Sequence, residues 1–262
     1  MVGLSGLTSI ADEDLGALQT CVPADADWID VASAGADGLF QSPSGDMFYP
    51  VDISEKSGRD IFAMEHKNHD FAATALGAAN RWGLRPAWIR VNSGEDISLL
   101  QAKALQEGQV IFAPDVAEGA CAAALYQSER IARTAERGIW RDGKPDLIYA
   151  TTSPQALEAA AGRYVIARGR IVSLGKTRRT RYLNFGTYWK QDFTVTVKAT
   201  DVEAVEAALA SSGWRFDELA GQAVEIRGIV QIWDGPHIEL LHPEQLVVLD
   251  TKRAGRDDPN GN

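Results

Sequence analysis

Tyr164 and Ile166 fall on one side and Val165 and Ala167 on the other of a period-two pattern that breaks at Gly169 and resumes at Ile171-Val172. That pattern predicts a strand bent at a glycine. Residues 176–179 form a polar turn, and residues 182–185 and 193–197 predict two further strands. The period then changes: Val202, Val205, Ala208 and Leu209 fall at helical spacing behind Thr200 and Asp201, which predicts a capped helix over 201–212. Residues 222–232 and 237–241, with Gly235-Pro236 between them, read as a hairpin, and 246–249 as a last strand. Five or so short strands with one helix between the third and fourth is the order of an OB-type barrel, a fold that commonly binds nucleic acid on one open face.

The upstream half is punctuated rather than periodic. Gly35-Ala-Asp-Gly38, Pro43-Ser-Gly45 and Ser57-Gly58 separate short apolar runs such as 48–53, which suits strands joined by tight turns. Residues 80–91 read as a turn entering a strand. Residues 97–107 predict a helix with Leu99, Leu100 and Leu105 inward, stopped by Gly108, and 110–113 a short strand. Residues 118–137 form the longest predicted helix, with Cys121, Ala124, Leu125, Ser128, Ala132 and Ala135 on one small-residue face. The expected fold class is mainly β with α (α+β), built from two OB-like barrels. The expected order is a loosely docked lead over 1–36, a first domain over 37–146, a linker over 147–162, a second domain over 163–250, and a disordered tail over 251–262.

Charge sharpens this division. The chain has 262 residues, enough for one or two cores, and a net charge of −10. Residues 1–150 hold 12 basic and 22 acidic side chains, whereas 151–262 hold 14 of each. From Arg163 to Lys190 there are eight Lys or Arg and no Asp or Glu, so a polyanion would meet this run and be repelled by the first half. Two cysteines, Cys21 and Cys121, allow at most one bridge. Residues 1–20 lack a basic leader region and contain Asp12, Glu13 and Asp14, so the default expectation is a cytoplasmic chain with no membrane partner, or a periplasmic one if translation starts upstream. His66 and His69 stand three apart without further ligands, and a solvated turn describes them better than a metal site.

Asn80-Arg-Trp-Gly-Leu-Arg-Pro-Ala-Trp88, Gly94, a helix ending at Gly108, Glu129-Arg130 with Ala132-Arg133, and Gly138-Ile-Trp140 follow one another in that order. In this the chain resembles the staphylococcal-nuclease-like (thermonuclease) family, in which a D-R-Y/W-G-R turn enters a strand and a late helix carries E-x-x-A-R and ends in G-x-W. Residues 182–186, 192–194, Arg227-Gly228 and 235–239 resemble the OB-type extension behind that nuclease domain. The resemblance implies metal-assisted hydrolysis of a phosphodiester, with carboxylates on Ca²⁺, a glutamate that activates water and two arginines that neutralise the phosphorane. Carried over position by position, the arginines fall on Tyr49 and Leu84, the metal acids on Gly38 and Ser54, and the glutamate on Ser57. None of these side chains can do the work.

The expectation is therefore a catalytically degenerate relative that binds nucleic acid through its second domain, without a cofactor. Expected contacts are Arg168, Arg170, Arg178, Arg179, Arg181 and Lys190 to phosphates, with Tyr182, Tyr188 and Trp189 as stacking partners. Phe185 and Phe193 are assigned to the core. Two alternatives stand beside this reading. One is an active Ca²⁺-dependent phosphodiesterase using the displaced residues Asp37, Asp52, Glu55 and Arg85. The other is a protein-interaction module without nucleic acid, favoured if the basic side chains are scattered over both faces of the second barrel.

Overall fold

The computed structural model describes residues 10–34, 38–54, 70–93, 96–143, 147–188 and 190–249. The chain is mainly β with helices, and it divides into two compact units, Met1–Pro145 and Asp146–Asn262. No helix among the described residues is long and apolar enough to cross a membrane.

In the first unit, β1 (Ile29–Ser33), β2 (Phe40–Gln41), β3 (Met47–Pro50), β5 (Asp70–Ala75) and β6 (Leu84–Ser93) form a closed five-stranded barrel. β4 (Ile53–Ser54) lies outside this circuit, paired with β8 (Ile111–Phe112). Closure comes from β3 running parallel to β6 while β1 and β5 pair antiparallel, which is consistent with an OB-like barrel. Alternation aims Phe40, Phe48, Phe71, Ile89 and Val91 inward, where Phe40 and Phe71 pack with ring centroids 5.2 Å apart. The first barrel strand thus lies within the stretch that reads as a loose lead. Low hydrophobicity hid it: only Val31 of β1 is buried.

Helices α1 (Ile10–Cys21), α2 (Leu100–Gln106) and α3 (Gly119–Thr134) belong to the same unit, and β7 (Asp96–Leu99) pairs with β6. The predicted helix over 97–107 therefore begins as a strand, because Ile97 to Leu99 continue the ladder from Asn92 to Arg90. Buried Gln101 on α2 donates to the Ala87 carbonyl at 3.0 Å and accepts from the Ile89 amide at 3.3 Å, so a helix side chain satisfies two β6 backbone groups. Glu129 on α3 is buried, accepts from the Phe112 amide at 2.6 Å and pairs with Arg133 at 2.5 Å. Arg133 also lies over the buried Trp140 ring at 4.6 Å. A side chain at Gly108 or Gly138 would collide with the other segment's backbone carbonyls, and both glycines have positive φ. Cys21 and Cys121 are joined by a disulfide that ties α1 to α3 across 100 residues.

In the second unit β10 (Tyr164–Arg170) and β11 (Ser173–Lys176) are two halves of one bent strand, followed by β12 (Thr180–Asn184) and β13 (Thr194–Lys198). After α5 (Val202–Ser211) come β14 (Ala223–Ile229), β15 (Gln231–Ile232), β16 (Pro236–Leu240) and β17 (Leu246–Val248). The pairings run β11–β12–β13–β16–β15, and β10 returns to β14. β13 and β16 are parallel, as β3 and β6 are in the first unit. Val165, Ala167, Leu183, Val195, Val197, Val224, Ile226 and Ile238 fill the interior, with Val205 and Leu209 of α5 against them. Phe185 and Phe193 join that core, as their pattern predicts, with ring centroids 5.1 Å apart. The stretch expected as a linker carries β9 (Ile148–Ala150), which pairs in parallel with β10, and the short helix α4 (Pro154–Glu158).

Candidate ligand-binding groove

On β12 the buried Leu183 fixes the inward face, so Thr180, Tyr182 and Asn184 point outward. On β13, buried Val195 and Val197 leave Thr194, Thr196 and Lys198 on that same outer face, and on β16 Ile238 and Leu240 leave His237 and Glu239 there. These eight side chains floor an open groove of about 700 Å³. Lys176 and Thr177 from the β11–β12 turn border it, as do Trp233 and Asp234 from the β15–β16 turn.

The register gives the groove two unlike ends. Thr180 pairs with Lys198 and Asn184 with Thr194, and Thr194 pairs in turn with His237. Lys176, Lys198 and the turn residues Arg178 and Arg179 therefore gather at one end, where the Ala199 amide donates to the Arg179 carbonyl at 2.8 Å. Lys198 also bonds Glu239 at 2.6 Å, which raises its pKa, mainly through that hydrogen bond. At the other end Trp233 stacks on His237 with ring centroids 4.3 Å apart and planes at 15°. His237 is only 3% exposed and shares a 2.7 Å hydrogen bond between Nε2 and Thr196 Oγ1. Burial lowers its pKa, against a smaller opposing effect of Glu239.

The basic residues read from the sequence do not share one surface. Arg178 and Arg179 are exposed on the turn beyond Lys176 and Thr177, next to the cationic end but not among the groove-lining side chains, and Tyr182 lies on the groove floor. Arg181, one residue from Tyr182, points the opposite way and borders a smaller cleft with Glu206 and Asp217. Arg168 is bonded to buried Glu225 at 2.6 and 2.8 Å, and Glu225 also holds buried Arg227 at 2.5 Å. Arg170 donates to the Gly221 carbonyl. Tyr188, 51% exposed, and Lys190, also exposed, sit in the β12–β13 connection and are not among the groove-lining side chains. Trp189 lies outside the described residues. Arg168, Arg170 and Arg181 are thus not brought to the groove: a run of like charges in sequence becomes two faces of a strand and several local pairs.

Sequence reasoning missed Asn184, Thr194, Thr196, Lys198, Trp233, His237 and Glu239. Their signal was the alternation of polar residues with Val195, Val197, Ile238 and Leu240, the same pattern that located the strands.

The displaced-residue enzyme reading finds little in the first unit. Asp52 is buried with φ of 61°, and its Oδ1 accepts from the Asp115, Val116 and Ala117 amides at 2.7, 3.0 and 3.0 Å. It therefore ties down a loop. Burial raises its pKa against the lowering effect of those three donors. Arg85 pairs with Asp46 at 3.6 Å. Asp37 and Glu55 fall outside the described residues, as do Ser57, His66 and His69. The positions expected to carry arginines, Tyr49 and Leu84, lie on the paired strands β3 and β6 and present no charge. Among the described residues no group of three or more His, Cys, Asp or Glu is placed to hold a metal. No protein-family model matches the chain, and no curated protein matches it.

Proposed function

We propose that the second unit is an OB-type module that binds single-stranded nucleic acid, and that the first is a degenerate thermonuclease-like barrel kept as a scaffold. The observation that carries this is the two-ended groove: cationic side chains at one end, exposed or half-buried rings in the middle and at the other, and a floor of hydroxyl and amide groups. Backbone phosphates suit Lys176, Arg178 and Arg179, and bases suit Tyr182, a division of labour common to single-strand binding surfaces. The first unit carries the majority of the acidic excess, which directs a polyanion to the second. The Cys21–Cys121 bridge favours an oxidising compartment over the cytoplasm.

The test is anisotropy of a labelled single-stranded oligonucleotide at two salt concentrations, with Ca²⁺ and with chelator. Salt-sensitive binding without cleavage is expected. R178A and R179A should each weaken it and lower the salt slope by about one, while R181A leaves it unchanged. Chelator-sensitive cleavage, or binding that ignores Arg178 and Arg179, would sink the reading. The dispersal of Arg168, Arg170 and Arg181 favours a second reading, a protein-interaction module, which the absence of any oligonucleotide binding would leave in place.

A further inference from the structure

Resting on the nucleic-acid reading, we propose that Trp233 is a preorganised base-stacking subsite, and that the ligand spans the groove from this ring to the Lys176–Arg179 turn, so that its shortest form is a dinucleotide rather than a mononucleotide. Trp233 is 57% exposed, yet its orientation is set from behind by the stacked His237 ring. His237 is itself fixed, buried on β16 and bonded to Thr196. The turn beneath the indole is braced as well. The Trp233 amide donates to the Gly235 carbonyl at 2.9 Å, and a Cβ on Gly235 would lie 3.1 Å from the Asp192 carbonyl oxygen. A large exposed ring held in one orientation binds a second ring with little further ordering.

The free face of the indole suits a nucleobase, a planar ring that stacks on it; His237 lies behind the indole, so a base stacked there leaves the buried His237 Nδ1 untouched. The span follows from the register. His237 is opposite Thr194 and the cationic end is opposite Lys198, and four residues of strand cover about 13 Å. A single nucleotide whose base lies on Trp233 does not bring its own phosphate that far, whereas the next phosphate along the strand reaches the turn.

The experiment is calorimetric titration of the full chain with thymidine mononucleotide, dinucleotide and hexanucleotide, and with hexanucleotides in which one base at a time is removed to leave the sugar. Wild-type protein should bind the dinucleotide and hexanucleotide but the mononucleotide at least tenfold more weakly. One base-free position should cost roughly tenfold or more. W233A should lose the same factor for the intact strand and show no further loss with the base-free one, while W233F keeps part of the affinity. Equal binding by W233A and wild type, or base-removal losses in W233A that match those of the wild type at every position, overturns the subsite and leaves the parent reading standing. Mononucleotide binding as tight as the dinucleotide overturns the span. No binding of any oligonucleotide by the wild type overturns the parent reading and this one with it.

Discussion

The two units run their strands through the same circuit, first–second–third–fifth–fourth, with the third and fifth parallel, and differ in what that circuit displays. On the first barrel, the outer positions of the second, third and fifth strands include Gln41, Met47, Tyr49, Leu84, Pro86, Trp88 and Arg90. On the second, the corresponding strands show Tyr182, Asn184, Thr196, Lys198, His237 and Glu239. The interior of each unit is dictated by packing, so both sets of inward residues are aliphatic or aromatic. The outer face is free to vary, and the second unit puts the larger share of charges and hydroxyls there. Topology alone therefore does not distinguish the two units; the alternate outer positions do.

The disulfide gives the largest way to break the comparison. Closing 100 residues removes chain entropy worth about 4–5 kcal/mol from the unfolded state. Reduction, or C21S with C121S, should lower the denaturant midpoint of the first unit by a corresponding amount and leave that of the second unchanged, read by separate tryptophan and amide probes in each.

In the second unit, E225A removes the carboxylate that the buried Arg227 guanidinium bonds and should cost about 3–5 kcal/mol. Replacing Glu225 and Arg227 together by Met should cost much less, which urea titration of the single and double variants measures. A similar additive cost for both would refute the pairing.

Asp52 tests whether the first barrel keeps a functional acid. D52A frees three amides and should cost about 2–3 kcal/mol, whereas D52N keeps an acceptor and a residue tolerant of positive φ, for a change of less than about 1 kcal/mol. Binding by the second unit should be untouched in both.

The smallest expected effect is a pH dependence. Burial lowers the folded-state pKa of His237, so the unfolded chain takes up its proton first. The stabilisation is complete above the ordinary imidazole value near 6.5 and is lost as pH falls through it toward the lowered folded value. Thermal melts of the second unit should drop on acidification, and H237Q should flatten that slope. Thr196 bonds this imidazole and the Glu239 carboxylate acts on it, with Lys198 paired to Glu239, so the profile should be read beside E239Q.

Much of the fold was legible because burial writes a period into the chain. β12, β13, α5 and the β15–β16 hairpin follow from Leu183, Val195, Val197, Val205, Leu209 and Ile238 falling at strand or helix spacing. β1 and β9 were not, since a short strand with one buried residue, or one lying beside an existing strand, leaves no such trace. The candidate site was half legible. Tyr182, Arg178 and Arg179 stand out by residue type, but Arg181 and Arg168 look equivalent to them until alternation, the cleft Arg181 shares with Glu206 and Asp217, and the ion pair of Arg168 with Glu225 separate them.

The sequence by itself determined which residues go inside, because transfer of apolar surface from water depends on residue type and local period. It also determined that the second half carries a local excess of positive charge. Only the tertiary structure decided which charges remain available. Ion pairs such as Arg168 with Glu225 join residues 57 apart, and the Trp233–His237 stack faces Thr196 across two strands. These are contacts between chain segments whose distance in sequence carries no local signal.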